Sequence, residues 1–350
     1  MRIPSWMVRK LGSPMALVER DEAPAAGEVL VEVAGCGVCH TDLGFYYDGV
    51  PTKHPFPLIL GHEIAGVVVE TGPGAEDWKG RRVVVPAVIP CGECAACRAG
   101  RGTVCPQQIF PGNDVHGGFA THVRVPARGL CPVPASSTVD LWQLAVIADA
   151  VSTPYQAIQR SGLAEGDLAV FVGAGGVGGF GIQVAAALGA AVVAIDVSAG
   201  RLSLVAAHGA ELTLRADELS FKELRKAVLG FAAERSIPTW RHRIFETSGT
   251  IAGQSTAFGL LGSGGYLGVI GFTPAKLELR LSNLMAFDAV AQGNWGCLPE
   301  HYPAIVDLAL RGAIALEPFV ERRPLRSIAE TFADLHAHRV TRRVVLVPEP

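Results

Sequence analysis

An apolar segment that ends in a glycine-rich turn restricts the fold of this chain more than any other feature. Residues Leu168–Val172 are apolar throughout and lead into Gly173-Ala174-Gly175-Gly176-Val177-Gly178, after which residues 177–188 read as a helix. A second apolar segment, Ala191–Asp196, ends in an acidic side chain, and a helix over 201–208 and strands over 244–247 and 265–270 continue the alternation. Apolar strands that alternate with helices are typical of a parallel sheet covered on both faces. The sequence therefore predicts a doubly wound α/β unit.

The glycine-rich turn also has the chemistry of a phosphate-binding loop. Gly173 permits a tight turn, Gly175 lets the backbone approach a pyrophosphate, and Gly178 allows close packing of helix against strand. The helix that follows presents free N–H groups to the phosphates. Asp196 can accept hydrogen bonds from ribose hydroxyls and would repel a 2′-phosphate, so NAD is favoured over NADP, although Arg201 could weaken that preference. The pattern predicts a Rossmann unit, and the alternative is a glycine-rich turn beside an unrelated aspartate. The predicted cofactor-binding residues of this loop are Gly173, Gly175, Gly176, Val177, Gly178 and Asp196.

The segments on either side of this unit have a different pattern. Short β-rich stretches at 28–34, 67–70 and 81–88 are separated by Gly and Pro, as expected for a β-rich, barrel-like domain. After about residue 296 the chain has helical patterns over 302–311 and 328–338 and a last strand over 343–347. We therefore predict a catalytic domain over 1–151, a nucleotide-binding domain over 152–294, and a return to the first domain over 295–350.

Four cysteines share one short loop, Cys91, Cys94, Cys97 and Cys105. Four thiolates at this spacing suit a tetrahedral zinc ion with no open position, which is a structural site. An iron–sulfur cluster and a pair of disulfides are the alternatives. Structural zinc is favoured, because clustered cysteines in a chain without secretory features more often bind metal than form disulfides.

Composition excludes several classes of function. The formal net charge is −3, so the chain has no strong field that would favour nucleic acid or an anionic membrane surface. No apolar run reaches the roughly 18–20 uncharged residues that a membrane span requires, and the first residues show no signal-peptide pattern. These features predict a soluble, cytoplasmic protein without a nucleic-acid or membrane partner.

Three further segments carry metal-binding or titratable side chains. They are Cys39-His40-Thr41-Asp42, Gly61-His62-Glu63, and Asp149. Separately each is weak evidence, because a buried histidine is more often a satisfied core residue than a ligand, and an aspartate near a helix start is usually an N-cap.

Taken together and in this order, these segments, the cysteine loop and the nucleotide loop resemble the zinc-containing medium-chain alcohol dehydrogenases over almost the whole chain. The resemblance implies a GroES-like barrel catalytic domain with an inserted Rossmann sheet, and catalytic zinc ligands at Cys39, His62 and Asp149. Many members have a cysteine at the third position, and an oxygen ligand is acceptable to zinc. Asp42 is expected to orient His62, and Glu63 to approach the metal when water leaves. The alternative is that Asp149 caps a helix and Glu63 is the permanent ligand.

The resemblance also implies the reaction, which is hydride transfer from a zinc-bound alcohol to NAD with two zinc ions per chain. Thr41 occupies the position of the hydroxyl relay. Many relatives pass the proton to a histidine where this chain has Gly44, so His40 is either the substitute acid–base or a pyrophosphate contact. Arg343 resembles a C-terminal cation that pairs with the pyrophosphate, unless it is simply solvated. Relatives form homodimers or homotetramers, and we expect one of these states.

Within the family, the segments 8–12, 45–60, 105–122 and 293–302 are most similar to dehydrogenases of cyclic hydroxyacyl-CoA esters from anaerobic aromatic degradation. This resemblance implies an allylic secondary alcohol carried on coenzyme A as substrate. The cationic candidates for CoA contacts are Arg241, His242, Arg243, Arg322 and Arg323. The competing hypotheses are a general alcohol or polyol dehydrogenase, a zinc-free quinone or enoyl reductase, and a non-catalytic nucleotide-binding relative.

Overall fold

Two large sheets organise the chain, and each belongs to its own unit. A computed structural model describes residues 1–349. The first unit comprises 1–152, 296–310 and 319–350, and the second comprises 153–295 and 311–318. No helix among residues 1–349 is both long and apolar enough to cross a bilayer.

The first unit begins with short strands and little helix. Its elements up to residue 132 are β1 (Arg2–Met7), β2 (Ala16–Asp21), β3 (Glu28–Gly37), α1 (His40–Tyr46), β4 (Glu63–Thr71), β5 (Arg82–Val85), α2 (Ala95–Arg98), β6 (His122–Pro126) and β7 (Cys131–Pro132). Strand β3 is central, because it pairs antiparallel with both β4 and β6. A 3₁₀ helix, Gln143–Ala148, is the last element of this part of the unit, and five of its six residues are buried.

The second unit is the predicted α/β sheet. Its elements are α3 (Ser152–Ser161), β8 (Leu168–Val172), α4 (Gly178–Ala187), β9 (Ala191–Asp196), α5 (Ala199–Ala206), β10 (Leu212–Arg215), α6 (Phe221–Glu234), β11 (His242–Glu246), α7 (Ile251–Gly259), β12 (Tyr266–Val269), α8 (Ser282–Phe287) and β13 (Val290–Gly293). The strand order is β10-β9-β8-β11-β12-β13, and every neighbouring pair is parallel. Both β8 and β9 are buried along their whole length, as expected for strands covered on two faces. The order reverses between β8 and β11, which is the position where open α/β sheets bind ligands.

The chain then returns to the first unit through α9 (Tyr302–Leu310), β14 (Val320–Pro324), α10 (Ile328–His336) and β15 (Arg343–Val347). Strand β15 pairs antiparallel with β3 and parallel with β14, so the last strand joins the sheet that contains β3, β4 and β5. These two sheets confirm the predicted fold class, a β-rich catalytic unit into which a doubly wound parallel sheet is inserted.

One short segment of the return, 311–318, belongs to the second unit. The side chain of Gln183 explains this, because its amide donates to the carbonyl of Ala315 at 3.3 Å and its oxygen accepts from the N–H of Ala315 at 2.7 Å. The two bonds attach the segment to helix α4. The sequence boundaries, which placed all of 295–350 in the return, did not anticipate this attachment.

Candidate metal centre and active site

The first candidate ligand lies where strand β3 ends and helix α1 begins. Cys39 is the N-cap residue of α1, and its backbone N–H donates to Oδ2 of Asp42 at 3.0 Å. An acidic side chain in the first turn of a helix satisfies an otherwise unpaired N–H group and suits the positive end of the helix dipole. The helix start therefore fixes both Cys39 and Asp42.

Asp42 also holds the second candidate ligand. Its Oδ1 accepts from the backbone N–H of Gly61 at 3.1 Å and lies 3.3 Å from Nδ1 of His62. Asp42 is 0% exposed, so these contacts are shielded from water. A carboxylate that faces one ring nitrogen of a histidine directs the other nitrogen away from it. The structure thus gives Asp42 the position expected of a residue that orients His62.

The third candidate ligand faces the other nitrogen of this ring. Oδ2 of Asp149 lies 3.5 Å from Nε2 of His62 and 3.7 Å from Sγ of Cys39. Tetrahedral zinc with ordinary bond lengths would separate such pairs by about 3.4 Å and about 3.6 Å. His62 is 1% exposed, and within residues 1–349 neither ring nitrogen has a partner of hydrogen-bond geometry. A buried imidazole is costly in that state, and the residues present fit a zinc ion that would bind Nε2.

Glu63 joins the same cluster but faces a different partner. One ligand atom from each of Cys39, His62, Glu63 and Asp149 lies within 4.8 Å of the others. However, Nε of Arg343 donates to Oε2 of Glu63 at 3.0 Å, and Nη2 of Arg343 donates to Oε1. Both side chains are buried, so a bidentate charge-assisted pair occupies the Glu63 carboxylate.

These contacts bear on two alternatives raised from the sequence. Helix α3 begins at Ser152, and Asp149 lies before it with its carboxylate directed at Cys39 and His62. This arrangement favours Asp149 over Glu63 as the third ligand. Arg343 is 5% exposed, so the hypothesis that it is simply solvated was wrong. Its contact with a pyrophosphate stays a prediction.

The predicted relay residues follow Cys39 on helix α1. Oγ1 of Thr41 lies 3.6 Å from Sγ of Cys39, which places a hydroxyl beside a candidate ligand atom. His40 is exposed, and Gly44 is buried within the same helix. A hydroxyl beside a candidate ligand and an exposed imidazole next to it in sequence are compatible with the predicted proton path, which stays a prediction.

The cysteine loop brings its four sulfurs together. The Sγ–Sγ distances are 3.5 Å for Cys94 and Cys97, 3.7 Å for Cys94 and Cys105, and 3.8 Å for Cys91 and Cys97. Tetrahedral zinc with four sulfurs at 2.3 Å separates each pair by about 3.8 Å. All eight cysteines of the chain are free thiols, which argues against the disulfide alternative.

Backbone N–H groups favour a thiolate in this loop. Those of Glu93 and Cys94 lower the pKa of the Cys91 thiol to about 6. The N–H of Cys94 donates to Sγ of Cys91, and the N–H of Cys91 donates to Sγ of Cys105, each at 3.4 Å. Because thiolates are the species that bind zinc, these backbone N–H groups prepare Cys91 for a metal, whereas burial raises the pKa of Cys97.

The nucleotide loop lies at the carboxyl end of strand β8, as predicted. Gly173 has φ +107°, a conformation that favours glycine, and a Cβ there would lie 2.6 Å from the backbone nitrogen of Ser248. A Cβ on Gly178 would overlap the carbonyl oxygen of Gly173. Asp196 accepts from the N–H of Ala174 at 2.7 Å, which brings its carboxylate against the loop.

Two residues near these sites carried no signal in the sequence. Thr247 follows strand β11, and its hydroxyl donates to the carbonyl of Gly173 at 2.7 Å, which ties this turn to the nucleotide loop. The ring of Phe110 meets the ring of His62 edge-on, with centroids 4.9 Å apart. Neither residue belongs to a local motif, so only the folded chain shows these contacts.

The cationic residues considered for coenzyme A contacts have protein partners instead. Arg241 pairs with Asp167 at 2.6 Å, and Arg323 pairs with Asp334 at 2.8 Å. Arg241 also immediately precedes strand β11, at the end of the parallel strands opposite to the nucleotide loop. Arg241 and Arg323 are therefore each engaged in an ion pair within their own unit.

The chain is similar in sequence and in structure to known zinc-binding alcohol dehydrogenases. A model of the alcohol dehydrogenase GroES-like domain matches residues 25–135, and a model of the zinc-binding dehydrogenases matches residues 176–311. The chain is 33% identical to an alcohol dehydrogenase of Geobacillus stearothermophilus, over 91% of each chain. It is 30% identical to a 2-dehydro-3-deoxy-L-galactonate 5-dehydrogenase of Pseudoalteromonas atlantica, over 89% of each. The solved structure of an alcohol dehydrogenase from Thermotoga maritima covers 100% of both chains with a TM-score of 0.89 at 27% identity.

Proposed function

Because this chain belongs to the zinc-dependent medium-chain alcohol dehydrogenases, which are oxidoreductases that act on CH–OH groups with NAD(P), we propose that it oxidises a secondary alcohol with NAD. The observation that carries the proposal is the approach of Cys39, His62 and Asp149 around the unsatisfied Nε2 of His62. A sulfur, an imidazole and a carboxylate form a three-ligand set that leaves one zinc position for a substrate oxygen.

In this proposal the chain's own residues hold and orient the metal. Cys39, His62 and Asp149 bind zinc, and Asp42 keeps the ring of His62 in position through Nδ1. When bound, zinc supplies a Lewis acid that lowers the pKa of a substrate hydroxyl. The Arg343 pair keeps the carboxylate of Glu63 away from permanent ligation. The cysteine loop holds a second zinc ion that has no part in the chemistry.

The proton of the substrate hydroxyl leaves through helix α1. Oγ1 of Thr41 accepts it beside Cys39, and the hydroxyl passes its own proton onward. His40 is the proposed next acceptor, since it is exposed and carries an imidazole, the side-chain type most often used to relay protons, while Gly44 offers no such group. A pyrophosphate contact remains the alternative role of His40.

The second unit supplies the hydride acceptor by binding the dinucleotide. We propose contacts from the loop 173–178 to the pyrophosphate and from Asp196 to the adenosine ribose. The negative charge of Asp196 disfavours a 2′-phosphate, so NAD is the proposed cofactor. Nε and Nη2 of Arg343 face Glu63, so any pyrophosphate contact of Arg343 would fall to Nη1.

For the substrate we propose a cyclic allylic alcohol on coenzyme A, 6-hydroxycyclohex-1-ene-1-carbonyl-CoA, which would be oxidised to the conjugated ketone. Whole-chain resemblance to dehydrogenases of benzoyl-CoA degradation supports it. A general alcohol or polyol substrate is the second candidate, which the similarity to alcohol and sugar-acid dehydrogenases favours.

A substrate panel tests the function. Purified protein is given NAD and, in parallel, hydroxyacyl-CoA esters, the corresponding free acids, and simple alcohols and polyols, while NADH formation is followed at 340 nm. Turnover of the CoA ester alone supports the proposed substrate, and turnover of simple alcohols supports the general candidate. The absence of NADH from every member, in protein with both zinc ions, would favour a non-catalytic nucleotide-binding relative.

Assembly and location are also part of the proposal. Strand β13 is the edge of the parallel sheet, and Val290 on it is exposed. Leu281 and Met285, which precede this strand, are exposed as well. An exposed apolar edge favours pairing with a second copy, so we propose a homodimer or homotetramer, testable by light scattering. Four reduced thiols in one loop suit the cytoplasm.

A further inference from the structure

One backbone carbonyl beside the proposed metal site accepts three hydrogen bonds. It is the carbonyl of Ala148, the residue before Asp149. The phenol of Tyr302 donates to it at 2.6 Å, the hydroxyl of Ser152 at 3.1 Å, and the backbone N–H of Ala87 at 3.3 Å. The two hydroxyls also lie 3.2 Å apart, so they form one small network around this oxygen.

Tyr302 is the largest side chain of this network, and burial of its polar O–H group is unfavourable unless that group is hydrogen-bonded. It is 0% exposed and among the largest fully buried side chains of residues 1–349. A buried phenol requires a partner for its O–H group, and here that partner is a single backbone oxygen. Burial raises the pKa of Tyr302 well above its ordinary value, so the phenol remains a donor.

The peptide group that Tyr302 holds determines where Asp149 points. Asp149 follows the 3₁₀ turn Gln143–Ala148 with φ −144° and ψ −56°, outside any regular element. The Ala148 carbonyl and the nitrogen of Asp149 share one planar peptide group. Rotation of that plane would move Oδ2 of Asp149 away from Nε2 of His62 and Sγ of Cys39.

We propose that Tyr302 is a positioning residue for the catalytic metal site, because its phenol fixes the peptide group that directs Asp149 toward His62 and Cys39. The inference rests on the proposed function, in which Asp149 is a zinc ligand. Tyr302 does not touch the metal or the substrate in this account. It acts through the backbone, and it comes from the part of the chain that follows the nucleotide-binding unit.

The test compares how fast each zinc ion leaves the intact protein. Tyr302→Phe keeps the ring and removes the O–H group. Tyr266→Phe is the matched control, since its phenol donates to Gln292 in the parallel sheet. Asp149→Asn reports on the ligand itself. Zinc release into excess EDTA is followed with a colorimetric chelator at a temperature where all variants are folded, and cobalt spectra identify the site that empties.

We expect Tyr302→Phe to lose one zinc ion about tenfold faster than the parent, with the cysteine-loop zinc retained, because the residues that orient ligands contribute 10–100-fold to metal affinity. Tyr266→Phe should match the parent at both sites. Unchanged release from Tyr302→Phe, or equal acceleration at both sites, would overturn the inference, because a purely structural role does not select one metal.

Two further variants make the result decisive. If Asp149→Asn keeps both zinc ions, the ligand assignment of the proposed function is wrong. If Asp149→Asn loses one ion while Tyr302→Phe behaves as the parent, only the positioning role fails. Should Tyr302→Phe not fold, Ser152→Ala removes a second donor from the same carbonyl, and it should accelerate release at the same site by a smaller factor. No acceleration in Ser152→Ala would then overturn the inference.

Discussion

Replacing Asp42 with asparagine tests the arrangement of the metal site most directly. The Asp42 carboxylate receives the N–H of Cys39 on Oδ2 and the N–H of Gly61 on Oδ1, and Oδ1 also faces His62. Asparagine has nearly the same shape but only one accepting oxygen. Whichever way the amide turns, one of the two backbone N–H groups then faces an NH₂ group in a buried position.

The size of the effect follows from the number of bonds lost. One hydrogen bond to a charged acceptor contributes about 1.5–3 kcal/mol. Local opening around the affected amide should therefore become roughly 10- to 150-fold more frequent. Because Asp42 also orients His62, zinc affinity at the Cys39 site should fall by about 10–100-fold.

The assay is amide hydrogen exchange, followed by mass spectrometry on peptides that contain Cys39 and Gly61. It is run on metal-free protein, so that loss of zinc does not contribute to the change. Asp149→Asn is the control, because the N–H groups of Cys39 and Gly61 donate to Asp42, so this variant should keep parent-like exchange at Gly61. Parent-like exchange at both amides in Asp42→Asn, together with parent-like zinc affinity, would refute the reasoning.

Three further predictions follow from the other sites. Cys94→Ser should reduce the zinc content from two ions to one per chain, measured by plasma emission spectrometry, while the Cys39 site keeps its metal. The loop 91–105 should then become sensitive to protease. A zinc content of two ions per chain would contradict the structural site. Asp196→Asn should raise the efficiency with NADP relative to NAD by at least about tenfold in steady-state assays, since it removes a charge that repels the 2′-phosphate; an unchanged ratio would contradict that role. Glu246→Ala should weaken NADH binding by about tenfold, measured by fluorescence titration. Glu246 accepts from the N–H groups of Ser248 and Gly249 and thereby shapes the turn that holds Gly173. Glu246→Gln keeps one accepting oxygen, so its NADH affinity should lie between those of the parent and Glu246→Ala.

The sequence predicted best where burial alone decides the structure. Strands β8, β9 and β15 have the predicted bounds, because strands buried on both faces form nearly continuous apolar runs that are easy to recognise. The predicted helix ends were less accurate, because capping side chains decide where a helix begins and ends. Helix α5 begins at Ala199, before the predicted position, because the hydroxyl of Ser198 accepts from the N–H of Arg201. That serine was a readable signal.

The sequence indicated which side chains meet at the candidate metal site but not the contacts that hold them in place. Cys39, His62 and Asp149 were proposed from resemblance, and the structure brings them together. The pairing of Glu63 with Arg343 and the contact of Tyr302 with Ala148 join residues far apart in the sequence. Such contacts have no spacing that could be read, because tertiary packing alone creates them. The same holds for Arg241, whose partner Asp167 no local pattern indicates.

The late position of strand β15 has a consequence for protein synthesis. Val345 and Leu346 pair with Gly37 and Cys36, just before Cys39, on the edge of β3 that faces away from β4. At these residues that edge has no partner until β15 leaves the ribosome. At ordinary translation rates the interval is roughly 15 to 60 s. A nascent chain would carry an open sheet edge for that time, and such edges favour aggregation. We therefore expect a chaperone to engage this protein before β15 emerges, and chains truncated before β15 to be degraded.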